Sequence, residues 1–152
     1  RNQGKEIILV SSGAQGIALG KLGLAEKPKD TKGKQAIAAV GQCELMYLYD
    51  KMFSGYNNTV AQVLLTREDI AIPRRKRNIQ NTVTTLIEMG IIPVVNENDT
   101  VSYDEIIYRQ SLPTLLTRIY LYFSPILMVC TTMTHTRIKT QNYFLQYTIL
   151  TK

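Results

Sequence analysis

Two short polar segments carry side chains that could bind a ligand. The apolar run 91–95 ends abruptly in Asn96-Glu97-Asn98-Asp99-Thr100, a cluster of carboxylates and side-chain amides. The apolar residues 7–10 end in Ser11-Ser12-Gly13-Ala14, where hydroxyls and closely approachable backbone amides could hold a phosphate or carboxylate oxygen. Each segment also has an ordinary interpretation, because Asn and Asp favour surface turns and small residues suit a tight strand-to-helix turn.

The elements around these segments predict an α/β fold. Strands are predicted over 5–10, 59–65 and 91–95, and helices over 34–53 and 79–88. The last strand lacks polar alternation, which is typical of a parallel sheet covered on both faces. The order strand, helix, strand, helix, strand predicts right-handed crossovers. The turns after the three strands should then lie along one edge, where such sheets bind ligands.

The two helices are predicted from apolar spacing and from their ends. One face of the first helix is expected to carry Ile37, Gly41, Leu45, Leu48 and Met52, with Val40 beside it. Gly41 costs a helix about 1 kcal/mol relative to Ala. Close packing, the approach of a ligand and simple tolerance all remain open as reasons for a Gly at this position. Asn78 is predicted as the N-cap of the second helix, and Gly90 as its end.

Composition excludes several classes of protein. A chain of 152 residues with 45% apolar residues fits one globular domain. Two Cys and one His predict neither a disulfide framework nor a zinc site, and a reducing cytoplasmic setting is expected. The apolar segment 119–130 is too short to span a membrane. No membrane partner is therefore expected.

The net charge of +6 is unevenly distributed. All acidic residues lie at or before Glu105, so most of the positive excess belongs to the remainder of the chain. The basic cluster 73–77 could bind nucleic acid, but it lacks interleaved aromatic residues and precedes a predicted helix. A solvated helix entry is the preferred interpretation, without a nucleic-acid partner.

Four segments in order resemble the glutamate 5-kinase family of the amino acid kinase superfamily. They are 10–14, Gly41-Gln42, 63–67 and 95–100, and the resemblance covers about 1–106. It implies a three-layer α/β/α sandwich with a mainly parallel sheet. It also implies ATP and Mg²⁺ as cofactors and phosphorylation of the side-chain carboxylate of L-glutamate, the first step of proline biosynthesis. The family enzymes are expected to be cytoplasmic homo-oligomers.

The resemblance predicts six substrate-binding residues: Ser12, Gly13, Ala14, Asn96, Asn98 and Asp99. Asp99 suits the α-ammonium of glutamate, whereas the Ser12 hydroxyl and the two amides after it suit a carboxylate. The two Asn side chains would position Asp99 or contact the substrate. No catalytic side chain or metal ligand is identified, since the substrate carboxylate itself attacks the γ-phosphorus and the transfer needs mainly alignment.

Several family elements are missing from the sequence. A phosphate-binding turn and a Lys that meets ATP would precede Arg1, and a Gly-Asp-Asn-Asp motif and a nucleotide loop would follow Ile106. The nucleotide-binding residues therefore stay unknown, the fold is expected to be incomplete at both ends, and this chain alone is expected to be inactive. The alternative function is a non-catalytic remnant that binds glutamate weakly or joins an intact enzyme's oligomer.

The segment 107–152 differs from the rest of the chain. It contains no Gly, Ala, Asp or Glu. We therefore predict a partial amino acid kinase domain over 1–106 and an anomalous tail over 107–152, produced by a reading-frame shift. Cys130 and His135 are interpreted as incidental there. Alternatively, the apolar residues of the tail could collapse onto an exposed sheet edge.

Overall fold

A computed structural model describes residues 6–102 and, as backbone, 127–134 and 144–150. The elements in these ranges are, in chain order, β1 (Ile7–Ser12), α1 (Ala14–Leu22), α2 (Thr31–Ser54), β2 (Val60–Leu65), α3 (Arg67–Ala71), α4 (Pro73–Glu88), β3 (Ile92–Glu97), β4 (Leu127–Thr134) and β5 (Phe144–Leu150). The predicted strands and both predicted helices are confirmed as elements. Among these described helices, none is both long enough and apolar enough to cross a bilayer.

The strands form one sheet in the order β2-β3-β1-β4-β5. β1 pairs in parallel with β3 and β4, β2 pairs in parallel with β3, and β5 is antiparallel to β4. The register pairs Val10 with Val95 and Leu65 with Glu97, so the first three strands end at the same edge. The predicted parallel sheet and its shared carboxyl edge are therefore confirmed.

Helices cover both faces of this sheet. Because side chains alternate along a strand, Ile8 and Val10 of β1 enter one core cluster and Leu9 enters another. The first cluster includes Val83 and Ile87 of α4; the second includes residues of α1 and α2. Burial of each large apolar side chain stabilises the fold by about 1.5–3 kcal/mol. The predicted three-layer α/β/α sandwich is confirmed.

The buried face of α2 differs from the predicted one. Met52, predicted to be on the inner face, is 42% exposed, whereas Tyr49 is 1% exposed. Gln42 is buried as well. Apolar spacing missed these two positions because polar atoms on the sheet provide hydrogen-bond partners for both side chains.

The start of α4 also corrects the sequence prediction. The helix begins at Pro73, so Asn78 lies inside it and is not its N-cap. Pro suits this first position because the N–H that it lacks has no partner in a first helical turn. The short helix α3 just before it begins with a capping box, in which Thr66 and Asp69 satisfy each other's backbone N–H. The basic cluster is thus helical surface.

Candidate functional site

The two polar segments meet at the carboxyl edge of the sheet. β1 and β3 are adjacent, and their register pairs Val10 with Val95. Continuing it places Ser12 beside Glu97, and both strands end there. Neighbouring strands are about 4.8 Å apart, so the segment after β1 lies next to the segment after β3. The structure brings the two predicted halves of the site together.

The segment after β1 is a tight turn into α1. Gly13 has a φ of 102°, a left-handed conformation that costs other residues roughly 1–2 kcal/mol. It is the N-cap of α1, and no side chain caps the helix there. The N-terminus of a helix carries a partial positive charge and favours anions. The backbone of this turn therefore favours an anion, and the binding of a carboxylate by Ser12, Gly13 and Ala14 stays a prediction.

Helix α2 packs against the same turn and against α1. A Cβ atom at Gly41 would lie 1.7 Å from the carbonyl oxygen of Ala14 and 3.1 Å from the Cβ of Ala18. Only a residue without a side chain lets the backbone of α2 approach α1 so closely. Of the three reasons left open for Gly41, close packing is the one that the structure shows.

Asn96 links the end of β3 to α2. It is 4% exposed, and its Nδ2 donates to Gln42 Oε1 over 2.8 Å. Its Oδ1 accepts the backbone N–H of Glu97 over 2.9 Å. Gln42 Nε2 is also buried, but has no hydrogen-bond partner among the described residues. A buried donor left in this state costs about 1–3 kcal/mol. Asn96 thus orients the strand end.

Ser11 makes a second link to the same helix. Its Oγ and the hydroxyl of Tyr49 are 2.7 Å apart, and both residues are buried. Ser11 therefore belongs to the support of the site, and the half-buried Ser12 is the hydroxyl that remains for a ligand. Sequence reasoning assigned no role to Tyr49 or Gln42. Their spacing of two helical turns was the available signal.

The segment after β3 is held by its own hydrogen bonds. Asn98 N donates to Leu65 O over 2.9 Å, and Thr100 Oγ1 donates to Asn98 Oδ1 over 2.5 Å. Asp99 lies in this turn and is half-buried. Asn98 thus ties the turn to β2, which gives Asp99 a defined position at the sheet edge.

A cavity of about 530 Å³ opens beside this turn. It is lined by Thr66, Arg67, Glu68, Asp69, Arg75, Asn98, Val101 and Ser102. Of the six predicted substrate-binding residues, only Asn98 contributes to this lining. Arg75 donates to Asp69 Oδ1 over 3.1 Å, so the basic cluster contributes an ion pair to the cavity wall.

The surroundings of Asp69 shift the pKa of its carboxyl group. Burial raises the pKa of Asp69, but hydrogen bonds from Thr66 and Arg75 outweigh burial and hold the pKa below its usual 3.8. No three His, Cys, Asp or Glu side chains within the described ranges come together as a metal site.

Comparison with known proteins now identifies the family. The model of the amino acid kinase family matches residues 1–118, which include both polar segments of the candidate site. The chain belongs to the amino acid kinase family. The fold of these residues, a parallel sheet between helices, agrees with that assignment.

Curated relatives of this amino acid kinase chain bear the name glutamate 5-kinase. The protein from Clostridium perfringens is 58% identical over 105 residues, which are 69% of this chain and 39% of that protein. The one from Meiothermus ruber is 57% identical over 106 residues, 70% of this chain and 28% of that protein. The matched region of the chain thus spans between 28% and 39% of the length of these relatives. The resemblance seen in the sequence is confirmed.

Proposed function

We propose that the chain is part of an enzyme that transfers the γ-phosphoryl group of ATP to the side-chain carboxylate of L-glutamate. The product is glutamyl 5-phosphate, the first intermediate of proline biosynthesis. The observation that carries this proposal is the 52–58% identity to proteins named glutamate 5-kinase. The family resemblance further supports a cytoplasmic, homo-oligomeric enzyme, with neither nucleic acid nor membrane as a partner.

The described residues are proposed to bind the glutamate. Ser12 and the amides of Gly13 and Ala14 receive a carboxylate at the N-terminus of α1, where the helix end favours negative charge. Asp99 receives the ammonium group. Asn96 and Asn98 are proposed to position the segment that carries Asp99. Their side chains form hydrogen bonds within the protein, Asn96 with Gln42 and Asn98 with Thr100.

The chemistry follows from placing the substrate. A carboxylate oxygen of glutamate attacks the γ-phosphorus, a new P–O bond forms, and the bond to the β-phosphate oxygen breaks to release ADP. No protein nucleophile takes part, so orientation of glutamate is the contribution of the described residues. Mg²⁺ is proposed to arrive with ATP and to neutralise phosphate charge. The described carboxylates do not form a ligand set for it, and none is assigned.

Calorimetric titration with L-glutamate tests the recognition. Asp99→Ala removes the proposed ammonium partner, and loss of a charge-assisted hydrogen bond weakens binding by roughly tenfold or more. Asp50→Ala is the matched control, because Asp50 is exposed on α2. Equal affinities of the Asp99→Ala variant and the unsubstituted chain would contradict the assignment.

A second candidate function is glutamate binding without transfer. The roles proposed for the described residues agree with it, because all of them concern glutamate and none concerns ATP. Glutamate-dependent ADP release by the purified chain distinguishes the two. Release at a steady rate would show transfer by the chain itself and contradict its expected inactivity, whereas binding without release agrees with that expectation and with the non-catalytic module.

We also propose that the kinase domain occupies 1–106 and that the anomalous tail 107–152 results from a reading-frame shift. The absence of Gly, Ala, Asp and Glu from the tail supports this. Sequencing DNA across the Ile106 codon tests it, and an alternative frame should encode an acidic, Gly-containing continuation. If neither other frame does so, the proposal is wrong.

A further inference from the structure

The orientations of two buried side-chain amides are decided by one backbone group. The N–H of Glu97 can only donate, so the atom of Asn96 that it meets must be the oxygen, Oδ1. The other end of Asn96 is then the NH₂ group, and it donates to Gln42. Gln42 must therefore accept with Oε1 and present its own NH₂ group elsewhere.

That NH₂ group belongs to a residue of α2 that is connected to both halves of the proposed site. Gln42 is 8% exposed, and its Nε2 has no acceptor among the described residues. The residue before it, Gly41, packs against Ala14 of the turn after β1. Gln42 itself holds Asn96 at the end of β3. A buried donor at this place is poised for an acceptor that the described residues do not supply.

We propose that Gln42 is a substrate-contacting specificity residue, whose Nε2 donates a hydrogen bond to a carboxylate oxygen of the bound amino acid. The inference rests on the proposed glutamate site and adds to it a residue from α2. A carboxylate matches this donor because a charged acceptor makes a stronger hydrogen bond than a neutral one. The oxygen of the same amide accepts from Asn96, so Gln42 contacts the ligand and also holds Asn96 in place.

Calorimetry with three ligands tests this role. Gln42→Glu keeps an acceptor for Asn96 but replaces the donor with an oxygen. We expect it to bind L-glutamate at least tenfold more weakly than the unsubstituted chain. L-glutamine and L-isoglutamine each carry an amide in place of one carboxylate. One of them should bind the variant more tightly than it binds the unsubstituted chain, since its NH₂ group can donate to the new acceptor.

Two further variants control the experiment. Gln35→Glu makes the same chemical change at a partly exposed position of α2 and should leave all three affinities unchanged. Gln42→Met removes the donor without adding charge, and is used if Gln42→Glu gives no cooperative thermal melt. Comparison of the NMR spectra of Gln42→Met and of the unsubstituted chain also assigns the side-chain amide signal of Gln42. Saturation of the unsubstituted chain with L-glutamate should shift that signal.

The outcomes separate the two proposals. If the unsubstituted chain binds no L-glutamate, the proposed function fails and the role of Gln42 fails with it. If the chain binds L-glutamate, the inference alone is overturned by either of two results. One is a Gln42 amide signal that does not move at saturation; the other is folded Gln42 variants that bind L-glutamate as tightly as Gln35→Glu does.

Discussion

Replacing Gly41 with Ala should destabilise the fold, although Ala is the better helix former. The new Cβ would lie 1.7 Å from Ala14 O and 2.5 Å from Ala14 C, whereas ordinary contacts begin at 3.4 Å. The helices α1 and α2 must therefore separate by about 1.5 Å or distort, since backbone atoms cannot rotate away. Overpacking of this kind costs about 3 kcal/mol, and the helix propensity of Ala returns about 1 kcal/mol. The expected net loss is about 2 kcal/mol.

Urea unfolding measures this loss. With a slope of about 2 kcal/mol per molar urea, the midpoint should fall by about 1 M. Gly16→Ala is the matched control, because Gly16 lies inside α1 and a Cβ there has nothing within 4 Å. That variant should be stabilised by about 0.5–1 kcal/mol. If the urea midpoint of Gly41→Ala rises, as that of Gly16→Ala is expected to, the close approach of α1 and α2 is refuted.

Two more predictions concern hydrogen bonds. Tyr49→Phe keeps the ring but leaves the buried Ser11 hydroxyl without this partner, so the free energy of unfolding should fall by about 1–2 kcal/mol. Adding Ser11→Ala should recover part of the loss, and no recovery would refute the hydrogen bond between the two hydroxyls. Asp69→Asn should cost about 0.5–1 kcal/mol at pH 7 through weaker bonds to Thr66 and Arg75. Because the pKa of Asp69 is depressed in the folded state, its contribution to stability is present above pH 3.8 and is lost as the pH falls further. The urea midpoints of Asp69→Asn and of the unsubstituted chain should therefore converge in acid. A difference between these midpoints that does not depend on pH would contradict this.

Local sequence patterns were sufficient to predict the parallel sheet. The apolar run 91–95 and the strand–helix alternation led to strands that end at one edge, and β3 differs from its predicted bounds by two residues or fewer. The turn at Gly13 was equally readable, since small residues are typical of such a turn.

Contacts between distant residues could not be predicted in the same way. Gln42 and Asn96 are 54 positions apart, and Ser11 and Tyr49 are 38 positions apart. Helical periodicity scores each side chain by its own hydropathy, so it placed Met52 inward and overlooked Tyr49. The start of α4 was missed for a different reason: an Asn cap was preferred to the Pro73 signal.

The central position of β1 has a consequence for synthesis of the chain. Leu9 pairs with Val94, about 85 positions later, and among the described strands β1 pairs with none that is made before β3. At about 5–20 residues per second, a ribosome needs roughly 4–17 s to bridge that interval. During this time Ile8, Leu9 and Val10, all buried in the finished fold, lack the described strands that flank β1. Nascent chains of this protein should therefore depend on chaperones until β3 emerges.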